Sequence, residues 1–238
     1  ANPGADTSVR VMAAGILPRV APAGDLTLLT DLLAADEAGL TTELRFALLG
    51  ATRRFVERGD AGPEGLAAVV DRLEREFQRP EADLRRTALK LLAHETLAPY
   101  LAGRDLGPFV AGLADGASAE LRDSLIALLE GHGTPATLAS ILELEGLSEL
   151  LGEDPAIEAA MARLFGKLAD GDPLLTLDAA GVLWDVEAER GRVTRSTRAL
   201  ALVAELPRDV VAGLDGAAHH RISDWASTLR SQGVDLAG

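Results

Sequence analysis

The sequence predicts an all-α protein, a solenoid of about five to six antiparallel helix pairs, on three observations. Ala and Leu dominate every stretch while aromatic residues make up only 3% of the chain. β-Branched residues seldom alternate with polar ones, so strands find little support. An apolar spacing of helical period also recurs along the chain at near-constant intervals, and self-similarity of this length is the mark of stacked repeats.

The recurring register is an apolar start followed by apolar residues at +4, +5, +7 and +8, which lays a broad stripe on one helix face. Val9 leads to Ala13, Ala14, Ile16 and Leu17; Leu84 leads to Ala88, Leu89, Leu91 and Leu92. Leu121 leads to Leu125, Ile126, Leu128 and Leu129, and Ile157 to Met161, Ala162, Leu164 and Phe165. Leu44 fits through Leu48, Leu49 and Ala51 and then fails at Thr52. The starts at 9, 44, 84, 121 and 157 are separated by 35, 40, 37 and 36 residues.

Other amphipathic segments lie between the stripes: Leu26 to Ala35, Leu66 to Phe77, Leu106 to Ala114 and Leu138 to Leu144. Each repeat therefore reads as two helices. Turn signals separate them at residues 57–63, 131–135 and 171–173, rich in Gly and Pro. Asp154-Pro155 sets a capping acid before a first-turn proline, a favourable helix start. A further unit built on Thr197 and Arg198 has a poor stripe beyond Ala201 and Leu202. Val210, Val211 and Leu214, then Ile222, Trp225 and Leu229, predict two closing helices of shorter spacing, as in a terminal cap. The expected organisation is one domain over 1–238: a polar segment 1–8, repeats over 9–206 and capping helices over 207–238. Because the Val9 stripe reads as a second helix without its first, the array is expected to be incomplete at that end, or to have Val9, Met12 and Ile16 covered by another surface.

A charge signature travels with the stripe. Arg10, Arg45, Arg85 and Arg122 each follow an apolar start, and Glu43, Asp83 and Glu120 precede three of the starts. An acid in the first turn suits the positive end of the helix dipole, and the Arg is placed to reach a neighbouring unit's acid.

Helix pairs repeating every 37 to 40 residues, with an acid and an Arg opening the second helix, resemble the HEAT-repeat family over about Val9 to Leu206. The resemblance implies a right-handed superhelix of the HEAT-like or ARM-like kind, with first helices on the convex side and second helices on the concave side. It also implies a structural ladder between units, carried here by Arg45, Asp83, Arg85, Glu120 and Arg122. Glu158 stands where the fourth unit's Arg belongs, so the ladder is expected to break there.

Composition narrows the function classes. Acids outnumber bases 37 to 23, and the formal charge of −14 opposes binding to nucleic acid. No apolar run approaches the roughly 20 residues a membrane span needs; Leu174 to Val186 comes nearest and contains Asp178 and Asp185. The absence of cysteine removes disulfides, thiolate metal sites and a cysteine nucleophile. The opening Ala-Asn-Pro-Gly-Ala-Asp-Thr-Ser is small and polar, as after signal-peptide removal or at a fragment boundary. It leans the expected location toward export into the periplasm, with the cytoplasm left open.

Chemistry is sparse. His94, His132, His219 and His220 lack metal-ligand spacing, and no phosphate loop or Gly-x-Ser-x-Gly elbow is present. Neither a cofactor nor a metal is expected, and the catalytic set is empty. Arg58-Gly59-Asp60 occupies a predicted turn, where Gly and Asp are ordinary turn formers. Trp184 and Trp225 are expected in the core rather than in a nucleotide-holding groove of the kind HEAT-like DNA glycosylases use.

Charge is distributed unevenly. From Asp123 to Glu189 fourteen acids face two bases, Arg163 and Lys167, whereas Arg45 to Arg104 holds eleven bases and nine acids. Glu143, Glu145, Glu149, Glu153 and Asp154 are the candidate rim for a basic partner; the alternative is that these acids serve solubility. The functional expectation is a non-catalytic scaffold that binds a protein partner, alone or within a longer chain or multi-subunit complex. The alternatives are a HEAT-like enzyme, either a bilin lyase or a DNA glycosylase, and a domain that stabilises a neighbouring enzyme.

Overall fold

The computed structural model describes residues 11–13, 15–16, 41–58, 62–114, 118–191 and 198–231, and all the regular structure among them is helical. Val9, Arg10, Ala14, Leu17, the segment Leu26 to Ala35, Gly59, Asp60 and Thr197 lie outside the described residues. Met12 and Ile16 of the first stripe are described and exposed.

The chain divides into two compact units: residues 1–112 with 117–128, and residues 113–116 with 129–238. In the first unit, α1 (Thr42–Arg58), α2 (Pro63–Phe77) and α3 (Ala82–Leu92) are followed by a 3-10 turn (Glu95–Leu97) and α4 (Ala98–Leu101). Here α2 packs on α3 and α4, and α1 packs on α3. The division passes through α5 (Gly107–Ala114) and α6 (Ala119–His132). The second unit continues with α7 (Pro135–Leu142), α8 (Leu147–Glu153), α9 (Pro155–Leu168), α10 (Pro173–Glu189), α11 (Arg198–Ala204), α12 (Arg208–Ala212) and α13 (Gly216–Ser231). In this unit α7 packs on α10, and α9 packs on α11.

The stripes are the cores. Leu44, Leu48, Leu49 and Ala51 of α1 are buried, as are Leu84, Ala88, Leu89, Leu91 and Leu92 of α3. So are Leu121, Leu125, Ile126, Leu128 and Leu129 of α6 and, from α9, Met161, Ala162, Leu164 and Phe165. Thr52, where the first of these stripes fails in sequence, is also buried. Its hydroxyl donates to the Leu48 carbonyl at 2.9 Å, so the polar atom is satisfied within its own helix.

Short elements interrupt the expected alternation of two helices. The 3-10 turn and α4 stand between α3 and α5, and α8 stands between α7 and α9. The segment expected to run to Leu144 stops at Leu142, and Gly146, at φ 80°, opens α8 from a left-handed conformation that glycine adopts without a Cβ clash.

Three helix starts share one chemistry. Thr134, Asp154 and Asp172 each precede a first-turn proline and accept a hydrogen bond from the backbone N–H of Thr137, Ala156 and Leu175 respectively. Proline sets the helical φ and removes an N–H that would lack an intrahelical acceptor. The side-chain oxygen satisfies one of the remaining first-turn donors.

Candidate functional site

Three helices of the second unit frame a groove of about 530 Å³: α7, α10 and α13. Leu175, Asp178, Gly181, Val182 and Asp185 follow one another along a single face of α10 at helical spacing, and all line it. Glu143, the residue that ends α7, stands on the wall, and Arg221 and Trp225 enter from α13. Trp225 stacks on Trp184 with ring centroids 5.2 Å apart; both indoles are buried, so the expected core role holds, while Trp225 also contributes to the groove lining.

The groove is electrostatically lopsided. Arg221 donates to Asp178 at 3.1 Å, whereas Glu143 and Asp185 have no cationic partner among the described residues. The C-terminal end of α7 adds to this excess: it carries no base in its last turn, and its cap residue is Glu143. A Cβ at Gly181 would meet the Arg221 guanidinium at 3.5 Å, an ordinary van der Waals contact.

Of the five acids singled out in sequence, the groove gathers Glu143 alone. Glu145 lies in the turn before α8, Glu149 and Glu153 are exposed on α8, and Asp154 spends one carboxylate oxygen on the Ala156 N–H at 2.7 Å as the cap of α9. The sequence reading missed Asp178, Asp185 and Arg221. The first two share a face with Leu175 and Val182, a pattern legible as an acidic stripe, but Arg221 comes from a helix 43 residues beyond Asp178.

The expected ladder residues take part in ion pairs and a ring contact. Asp83 and Glu120 are bridged by Arg86, which donates to both, at 2.9 Å in the case of Glu120. Arg85 lays its guanidinium 5.0 Å from the centroid of the Phe77 ring, and Arg122 is half-buried. Asp83 and Arg86 are three residues apart on α3, a spacing at which helix side chains face each other. Arg45 is buried and donates to Glu76 of α2 at 2.6 Å; Glu76, itself 0% exposed, also takes the buried Arg72.

At the position of the expected break in the ladder, Glu158, 1% exposed, accepts from Arg198 forty residues on. Glu187, also buried, accepts from the Arg198 backbone N–H at 2.9 Å and anchors the start of α11. Burial, and secondarily the nearby Glu158 carboxylate, holds Glu187 above the ordinary glutamate range despite the Arg198 hydrogen bond and charge.

The histidines form no cluster. His94 accepts from the Thr96 N–H at 3.3 Å and starts the 3-10 turn, and His220 lies 3.5 Å from Asp224. Among the described residues no group of three His, Asp or Glu side chains could hold a metal, and no helix is long and apolar enough to cross a membrane. No protein-family model matches the chain, and no curated protein or solved structure is significantly similar to it.

Proposed function

We propose that the chain is a non-catalytic scaffold, a HEAT-like solenoid of helical hairpins, that binds a partner protein by seating a basic segment of it in the groove of α7, α10 and α13. One observation carries this reading: Glu143 and Asp185 present carboxylates without cationic partners among the described residues, beside apolar lining that includes Val182 and Trp225. A lysine or arginine suits such a lining because its aliphatic stem covers apolar surface while its head meets the acids. The stacking of α7 on α10 and of α9 on α11 supports the solenoid part of the proposal. Nucleic acid does not fit this acidic groove, and the reading assigns no cofactor.

Fluorescence anisotropy with a labelled decapeptide alternating lysine and alanine tests it. Binding is expected to weaken steeply as salt is raised, since screening lengths shrink from about 30 Å at 0.01 M to about 10 Å at 0.1 M. Glu143→Gln combined with Asp185→Asn is expected to weaken it about tenfold, most of the loss coming from two charge contacts. Equal binding by this double variant and the parent chain would refute the groove as the site.

A further inference from the structure

A second groove in the same unit has the opposite polarity. It runs between α9 and α11, encloses about 460 Å³, and is lined by Arg163, Lys167 and Arg198, with Glu205 the one acid. Arg163 and Lys167 are the two bases found among residues 123–189, where fourteen acids lie. Both stand on the same face of α9, one turn apart, and both line this groove.

Neither cation is neutralised. Arg163 makes a 3.4 Å hydrogen bond to the Ala159 carbonyl of its own helix, and Lys167 makes no ion pair among the described residues. Arg198, by contrast, is already matched by the buried Glu158 and serves as a fixed wall. The positive field reaches beyond the groove: His132 is held below the ordinary histidine range first by burial and then by Lys167. Small residues keep the trough open to a peptide backbone. Gly166 and Ala201 line it, and a Cβ at Gly166 would sit 3.1 Å from a Leu202 methyl.

We infer that this groove docks an extended acidic segment of a partner protein, one that carries carboxylates at alternate positions. Arg163 and Lys167 are four residues apart on α9, about 6 Å along its axis. Side chains two residues apart on an extended strand project to one side about 6.6 Å apart. An acid-x-acid segment therefore meets both cations at once, while the intervening side chain points away. The attachment points of the two cations on α9 lie about 6 Å apart along its axis, a spacing that suits two carboxylates. The inference does not depend on the acidic groove, and the two together make the second unit a connector of oppositely charged segments.

The probe is a fluorescein-labelled hexapeptide alternating glutamate and alanine, compared by anisotropy with an isomer that groups its three glutamates. The alternating peptide is expected to bind more tightly than the isomer. Arg163→Gln with Lys167→Gln is expected to weaken it about tenfold, the sum of two exposed charge contacts. Glu143→Gln with Asp185→Asn leaves this binding within about twofold, so failure of the basic-segment proposal and failure of this one are read separately. Both substituted cations are solvent-exposed, and an unchanged helical circular dichroism signal excludes misfolding as the cause. Peptide binding is also expected to move the His132 titration upward, because a carboxylate offsets Lys167. A flat anisotropy up to millimolar peptide overturns the inference. So does equal binding of the two isomers with displacement by inorganic phosphate, which marks a general anion site.

Discussion

The buried charges carry the sharpest single-residue consequences. Glu76 is enclosed with Arg45 and Arg72, and one of its carboxylate oxygens already lacks a hydrogen-bond partner. Glu76→Gln leaves two guanidinium groups in the core without their shared counter-charge, and removing one partner of a buried pair costs about 3–5 kcal/mol. Urea denaturation should show that loss as a lower midpoint. Glu187 gives a pH signature. Its carboxyl holds a proton to higher pH in the folded chain than in the unfolded one, so its contribution is complete below the ordinary value of 4.5 and is lost as pH rises through the raised folded value. Glu187→Gln should abolish that decline: in denaturation series from pH 4 to pH 7, the variant gains on the parent chain as pH increases. An unchanged difference across the series contradicts the assignment. Sequence pointed to Arg45 and to the Glu158 and Arg198 positions, but not to Glu76 or Glu187. Their pairing depends on which helix faces lie against each other, and 31 residues separate Arg45 from Glu76.

At the level of helices, caps and close approaches decide where elements start and stop. Thr134 and Thr137 exchange hydrogen bonds at the start of α7, each side-chain oxygen accepting from the other's backbone N–H. Thr134→Ala should cost about 1 kcal/mol, the usual worth of a cap. Gly133→Ala, one residue earlier, should cost more. A Cβ there would lie 2.5 Å from the Leu129 carbonyl oxygen and 2.7 Å from a Leu168 methyl, and crowding of this kind costs about 1–3 kcal/mol. Thermal melts of the two variants test the order, and a Gly133→Ala protein at least as stable as Thr134→Ala contradicts it. The cap at Asp154-Pro155 was legible because it acts over adjacent residues, whereas Thr134-Pro135 read only as part of a turn. The short helices α4 and α8 were not legible: four and seven residues are too few to display a stripe.

Across the whole chain, charge is the dominant feature. A net charge of −14 makes the folded state repel itself, and exposed pairs such as Arg53 with Glu57 return little. Raising salt from about 0.05 M to about 0.5 M should therefore raise Tm, because screening relieves more repulsion than attraction. Replacing the exposed Glu145 and Glu149 by Gln should raise Tm at low salt and reduce its salt dependence; an unaltered salt slope would place the repulsion elsewhere. What the sequence determined alone is the all-helical character, the apolar stripes of α1, α3, α6 and α9, and the acid excess of residues 123–189. Each is a local property, set by the period of 3.6 residues per turn and by composition. Tertiary structure decided the rest: the division into two units, the meeting of Glu143 with Asp178 and Asp185 along one groove, and the lining of another by Arg163, Lys167 and Arg198. Those outcomes depend on which stripes bury against which. Many register-preserving arrangements bury similar apolar area, so the choice among them is made by long-range packing and not by spacing within any one helix.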